Sequence, residues 1–434
     1  MAVYPFRAAE EPAASIAIRP GPPYRAGLVL SKSVRIPCGR EVASHGFKIK
    51  ARMSGPIRVL QLAKHFDPDT GGIETVTLNI SEMLLQHAIR ADVLCTEVNG
   101  PYQERERGYQ VMRCKADVAF GNKRLSWNYV DLGRRLEEEY DCALVHMPNP
   151  LAVLAALSWR KPVILLWHAD IPQAPIRWAS APLDHRLLAK AAAVIGPTPI
   201  HLARSHRAAA INGRGVVIPY PFNRSLIPRP TGKTAFAEKL RMFRRGRALS
   251  VSVGRLVPYK GFDVLIEAAR RFDDRLVSLI VGSGPLQVEL TDRIAKAGMS
   301  DRVMLAGALS SDELADAFAQ ARMGCMPSVT AAEMYGVAQV ESMAAGLPMV
   351  STDLDRSGVP FVNKDGLTGL VVKPGDPDQL AAAMLRLVDD ETLWRRLSEG
   401  ALGAVAKDHD ISAVSDRYAQ LIRDVVNSRS RRAA

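Results

Sequence analysis

Two glutamates eight positions apart, Glu333 and Glu341, bracket the segment Glu333-Met-Tyr-Gly-Val-Ala-Gln-Val-Glu341. The pattern predicts an acid on a loop, a glycine opening a helix at Gly336, and a second acid two turns inside that helix. A helix start offers unpaired backbone N–H groups and a positive dipole end, so it suits a phosphate. Carboxylates on either side can accept hydrogen bonds from sugar hydroxyls. A phosphate with hydroxyls at both ends describes a nucleotide-sugar.

Other residue types of the same chemistry recur along the chain. Gly254-Arg255-Leu-Val-Pro-Tyr-Lys260-Gly261 sets an arginine and a lysine five apart between glycines. The planar fork of one and the point charge of the other can converge on a diphosphate, although surface Arg/Lys in loops are equally ordinary. Gly282-Ser-Gly284-Pro285 permits close backbone approach to a ligand, and a tight turn explains it as well. Gly71-Gly72 carries the same ambiguity, followed by Glu74 as a helix-start acid. His168 closes an apolar run two residues before Asp170, as either a satisfied structural histidine or a reacting-centre group.

The elements that must position these residues alternate between strand-like apolar runs and helical periodicity. Strands are expected at 57–63, 92–95, 111–114, 143–146, 162–168 and 193–197. After the basic, proline-punctuated stretch 219–247 the series restarts at 249–253, 276–281, 303–306, 323–326, 348–351 and 370–372. The continuous rather than alternating hydrophobicity of Val163–Trp167 points to strands buried on both faces, hence a parallel, doubly wound α/β sheet. Two such units of similar size imply a cleft between two sheets. The reading divides the chain into a disordered basic leader (1–55), a first domain (56–222), a basic linker (223–247), a second domain (248–405) and a C-terminal helix (406–434) that crosses back to the first domain. Met53 directly precedes the first strand and reads as an alternative start, with residues 1–52 adding no fold.

At 434 residues, with 47% hydrophobic and 24% charged residues, the chain has the composition of a globular protein with two cores. The net charge of +12 is concentrated: nine Lys/Arg against three Glu over residues 1–55, and eight against one over 223–247. Such segments attract anionic lipid headgroups. No aromatic-interleaved basic motif or helix-turn-helix pattern points to nucleic acid. The five cysteines form no C-x-x-C pair, which argues against a disulfide framework or zinc site and fits a reducing cytoplasm. No apolar run reaches bilayer-spanning length.

Taken together, the Gly71-Gly72 loop, His168, Gly254-Arg255…Lys260-Gly261, Gly282-Ser-Gly284-Pro285 and Glu333…Glu341 resemble the retaining GT-B glycosyltransferases (group 1) with the Glu-x7-Glu motif, over nearly all of residues 56–405. The resemblance implies a GT-B fold, two Rossmann-like domains facing a cleft, with the nucleotide-sugar in the second. Arg255 and Lys260 would neutralise the diphosphate. Gly336 and Val337 would lend backbone N–H groups, and Glu341 would hold the ribose. Glu333 would contact the transferred sugar, Gly71 and Gly72 would lie near the donor phosphates, and His168 would sit by the reacting centre. Gly254, Gly282, Gly284 and Tyr335 complete the implied donor site; Tyr335 replaces the family's usual phenylalanine. No metal or other cofactor is implied. The phrases at 167–171, 218–221 and 335–341 look like bacterial mannosyl- and rhamnosyltransferases of surface-polysaccharide assembly. GDP-mannose is then the expected donor, and a glycan or polyprenyl-diphosphate-linked acceptor the partner, at the inner face of the plasma membrane. The alternatives are a UDP-sugar-dependent transferase, a soluble sugar synthase of the same fold, or a non-catalytic carbohydrate-binding subunit.

Overall fold

The computed structural model describes residues 55–433 apart from 67–71, 99–101, 107, 121–122, 172, 212 and 225–227. Gly71, Met53 and all of the leader but Gly55 therefore lie outside the described residues. Two α/β lobes make up the rest. The first contains β1 (Ile57–Leu62), β2 (Ile89–Glu97), β3 (Tyr102–Glu106), β4 (Tyr109–Lys115), the short β5 (Val118–Phe120) and β6 (Lys123–Leu125), then β7 (Cys142–Met147), β8 (Val163–Trp167), β9 (Ala193–Gly196) and β10 (Gly215–Val217). The second contains β11 (Ala248–Val253), β12 (Leu276–Val281), β13 (Val303–Gly307), β14 (Met323–Met326), β15 (Met349–Thr352) and β16 (Gly369–Val372).

Among the described residues the first sheet runs β10-β9-β8-β7-β1-β2-β4-β3, parallel except for β3, and the second runs β13-β12-β11-β14-β15-β16, parallel throughout. The central strands are buried on both faces, as their unbroken apolar runs require. Both sheets reverse strand order at their middle, between β1 and β7 and between β11 and β14. In open α/β sheets the crevice beyond such a reversal collects ligands.

The linker is shorter than the sequence suggests. Helix Ala235–Arg244, capped by the Thr234 hydroxyl, buries Phe236, Ala237 and Leu240 against Leu249 and Val251 of the second sheet. Its basic residues Lys239 and Arg241 point outward. Residues 235–247 thus belong to the second lobe; the charge on their outer face hides the apolar stripe.

The final helix, Ile411–Ala433, packs on helix Gly72–Leu85 of the first lobe. Val414, Tyr418, Ala419 and Ile422 share one core with Val76, Ile80 and Met83. The chain passes between the lobes at two adjacent places: Phe222 bridges to Asp410, and its N–H donates to His409 O at 2.8 Å. No described helix is long and apolar enough to cross a membrane.

Candidate functional site

The strand-order reversal of the second sheet brings the loop after β11 against the loop after β14. Gly261 makes the approach possible. It holds φ at 67°, and a Cβ there would overlap Pro327 O. Val329 N–H then donates to Tyr259 O at 2.9 Å, tying the two loops together. The consequence is an ion pair: Lys260 Nζ lies 2.5 Å from Glu333 Oε2, both side chains about nine-tenths buried. The Ser328 hydroxyl donates to the same carboxylate at 3.3 Å, and Ser357 Oγ holds the Glu333 backbone carbonyl.

Gly336 caps helix Val337–Ala344 at φ 75°, so Glu341 is the fifth helical residue, little more than one turn in rather than two. Val337 opens this helix opposite Gly72, which opens helix Gly72–Leu85: a Cβ on Gly72 would touch Val337 Cγ2 at 3.4 Å. Two helix N-termini, one from each lobe, therefore face a shared space. Beside it lies a cavity of about 740 Å³ lined by Thr75 and Asn79 of the first lobe, Pro221 and Phe222 of the crossing, and Phe318, Val337 and Glu341 of the second. Burial pushes the Glu341 carboxyl above its ordinary value, with Lys260 opposing.

Arg255 is exposed in the same loop as Lys260, whose stem lies against Gly254. The glycines at 282 and 284 have an internal reason. A Cβ on Gly282 would overlap Gly254 O, and one on Gly284 would lie 2.5 Å from Leu256 O. Leu256 N–H donates to Ser283 O at 2.9 Å. The pair brings the β12 end flush against the loop carrying Arg255 and Lys260. Close backbone packing accounts for both glycines without a ligand.

Two expected site residues are drawn inward instead. Tyr335 is 3% exposed, with its ring 4.5 Å from that of Tyr220 and its Oη 3.1 Å from His409 Nδ1. The side chain belongs to the crossing between the lobes rather than to the open cleft. His168 is equally buried, and both its ring nitrogens are engaged by protein. Nε2 lies 2.9 Å from His146 Nδ1, and Nδ1 lies 2.6 Å from Tyr220 Oη.

The direction of this chain follows from its far end. Gln61 Nε2 donates to Ser81 Oγ and Thr77 O, so its Oε1 must accept from His146 Nε2–H, at 2.9 Å. His146 Nδ1 then accepts from His168 Nε2–H, and His168 Nδ1 accepts from the Tyr220 hydroxyl. Each histidine is a neutral tautomer fixed by its neighbour. Burial lowers the pKa of His146 to about 3 and that of His168 well below 6.5. In this arrangement His168 is a link in a relay from β1 to the crossing, not a group open to a reacting centre. Gln61, His146, Tyr220 and His409 were invisible to sequence reasoning. Only the β7–β8 register, pairing Met147 with Trp167, puts His146 next to His168.

Among the described residues no group of three His, Cys, Asp or Glu is placed to hold a metal ion. The site offers a cation, two carboxylates and two helix starts around one opening, a donor and acceptor set that fits a phosphorylated, hydroxyl-rich ligand.

Residues 238–404 match the family model described as glycosyl transferases group 1, and residues 70–226 that of glycosyltransferase family 4. The O-antigen chain mannosyltransferase C of Escherichia coli is 26% identical over 381 residues, 86% of this chain and 100% of that protein. The D-rhamnosyltransferase WbpZ of Pseudomonas aeruginosa is 28% identical, over 76% of this chain and 86% of its own. The sucrose-phosphate synthase structure from Thermosynechococcus elongatus superposes with a TM-score of 0.70 at 19% identity, covering 86% of this chain and 100% of that one. At that identity the superposition establishes the two-lobed GT-B fold alone.

Proposed function

The chain belongs to the group 1 glycosyltransferases, and we propose that it transfers mannose from GDP-mannose to a glycan or polyprenyl-diphosphate-linked acceptor in surface-polysaccharide biosynthesis. The observation that carries this reading is the Lys260–Glu333 pair beside the Val337 helix start and Glu341. A donor diphosphate would take Lys260 and the exposed Arg255, with the backbone N–H of Val337. The ribose diol would bind Glu341, and the sugar hydroxyls Glu333. The relatives favour mannose: besides the O-antigen enzyme, a GDP-mannose-dependent phosphatidylinositol monomannoside mannosyltransferase of Mycobacterium tuberculosis is 27% identical over 80% of this chain and 92% of its own.

In the proposed reaction the acceptor oxygen bonds to the anomeric carbon on the face that the diphosphate oxygen leaves, so configuration is retained. The acceptor proton passes to the departing diphosphate, whose growing charge Arg255 and Lys260 stabilise. The Glu333 carboxylate serves sugar hydroxyls and forms no bond to carbon. The protein would work at the cytoplasmic membrane face, where a lipid-linked acceptor is held.

Calorimetric titration with GDP, UDP and ADP tests the donor. Selective GDP binding is expected. Selective UDP binding overturns the mannose assignment, and binding of none overturns a catalytic role for the isolated chain. The anomeric configuration of the product, read by NMR, tests retention.

A further inference from the structure

Helix Ala174–Lys190 is built inside out. Its single acid, Asp184, is buried and takes Arg207 Nη2 at 3.0 Å and Ser180 Oγ at 2.8 Å. Arg207 also reaches the Arg177 carbonyl. The outward side of the first half instead carries Pro175, Ile176, Trp178, Ala179 and Pro182, all exposed, with Trp178 at 72%. A surface helix ordinarily reverses this arrangement.

The placement adds to the pattern. The strand before this helix, β8, and the strand β4 that leads through the β5–β6 hairpin to helix Trp127–Arg135 run parallel within one sheet. Both helices therefore start at the carboxyl edge of the first sheet, with helix Pro150–Ala156 between them. At that edge Trp127 is 73% exposed, and Val118 and Leu125 of the hairpin are exposed too. Tryptophan with one end apolar and the other wet suits a membrane–water boundary.

We propose that this edge of the first lobe, centred on Ile176 and Trp178, docks on an anionic lipid bilayer. Charge selects the occupant. Helix Ala174–Lys190 shows no outward acid, and its exposed cations are Arg186 and Lys190. Of the acids near Trp127, Asp117 accepts the Trp127 N–H and Asp131 is paired with Arg135. An apolar tip backed by cations fits phospholipid headgroups better than a second copy of the same face. The inference deepens the lipid-linked acceptor reading and rests on it for its purpose, since the edge borders the cleft.

Flotation of the full chain with vesicles of phosphatidylglycerol and phosphatidylethanolamine tests it, against vesicles of phosphatidylcholine. The parent is expected to float with the anionic vesicles. In Ile176→Gln/Trp178→Gln, binding is expected to fall about ten-fold. The same basic leader is present in both proteins, so the difference reports the helix. Unchanged binding of the variant overturns the proposal, as does equal binding to neutral vesicles. A parent dimer that the substitutions dissociate overturns it in favour of self-association. Nucleotide affinity is expected to be the same in parent and variant; a loss would place these residues in the donor site and overturn the proposal. Flotation needs neither donor nor acceptor, so failure to transfer sugar leaves its result standing.

Discussion

Lys260 Nζ and Glu333 Oε2 lie 2.5 Å apart in a site with no ligand, each side chain about one-tenth exposed. A phosphate that recruits Lys260 must take it from Glu333, and the released carboxylate is then free to meet sugar hydroxyls. Binding one half of the donor thus prepares the group that reads the other.

Replacing either partner separates these roles. Lys260→Ala leaves a buried carboxylate without its cation and is expected to cost about 3 kcal/mol in denaturant unfolding. It should also weaken GDP binding at least about ten-fold, as the loss of one charge-assisted contact to phosphate. Glu333→Gln removes the competitor and should bind GDP at least as tightly as the parent while transferring poorly. A Glu333→Gln variant with weakened GDP affinity and normal turnover would contradict this division.

The pH response of Glu341 runs in two directions. Its folded-state pKa is raised above the ordinary 4.5 by burial, with Lys260 opposing. In the free protein the stability linked to this carboxyl is therefore fully present below 4.5 and is lost as pH rises through the folded value. Glu341→Gln should make the free protein more stable at neutral pH. Nucleotide binding needs the ionised form, so GDP affinity should fall with acidification while an exposed glutamate is still charged. Calorimetry across pH checks both, and the Gln variant should lose that step along with most of its affinity.

The buried histidines set an acid limit. His146 titrates at about 3 when folded against an ordinary 6.5, and His201 at about 4. A depressed histidine contributes stability that is present above 6.5 and lost as pH falls toward the folded value. His146→Leu should flatten the decline between about pH 6.5 and 3. At neutral pH it should cost about 1–3 kcal/mol for each partner left unpaired, Gln61 Oε1 and His168 Nε2–H. Equilibrium unfolding at a series of pH values measures both.

Tyr335→Phe discriminates between a donor contact and a hinge residue. Only the hydroxyl bond to His409 is removed, so stability should fall by about 1 kcal/mol and nucleotide affinity should not move. A loss of affinity with unchanged stability would return Tyr335 to the donor site.

What was legible in the sequence follows from what each element buries. β12 and β14 were located to the residue because their runs are apolar from end to end. β3, Tyr-Gln-Glu-Arg-Glu, lies at the antiparallel edge of the sheet and carries charges, so no periodicity marks it. Lys260 and Glu333 could be named because loops at strand ends keep their chemistry in short motifs. The inward turn of His168 and Tyr335 could not, since it depends on Tyr220 and His409, which are 189 residues apart.

The last helix has a bearing on how the protein is made. Tyr418, Ala419 and Ile422 complete the core around Val76, Ile80 and Met83, although the ribosome makes the two groups more than three hundred residues apart. During synthesis the first lobe emerges early yet waits with one face of helix Gly72–Leu85 uncovered until the second lobe has been translated. That exposed interval is the stage at which a chaperone would be of most use to this chain.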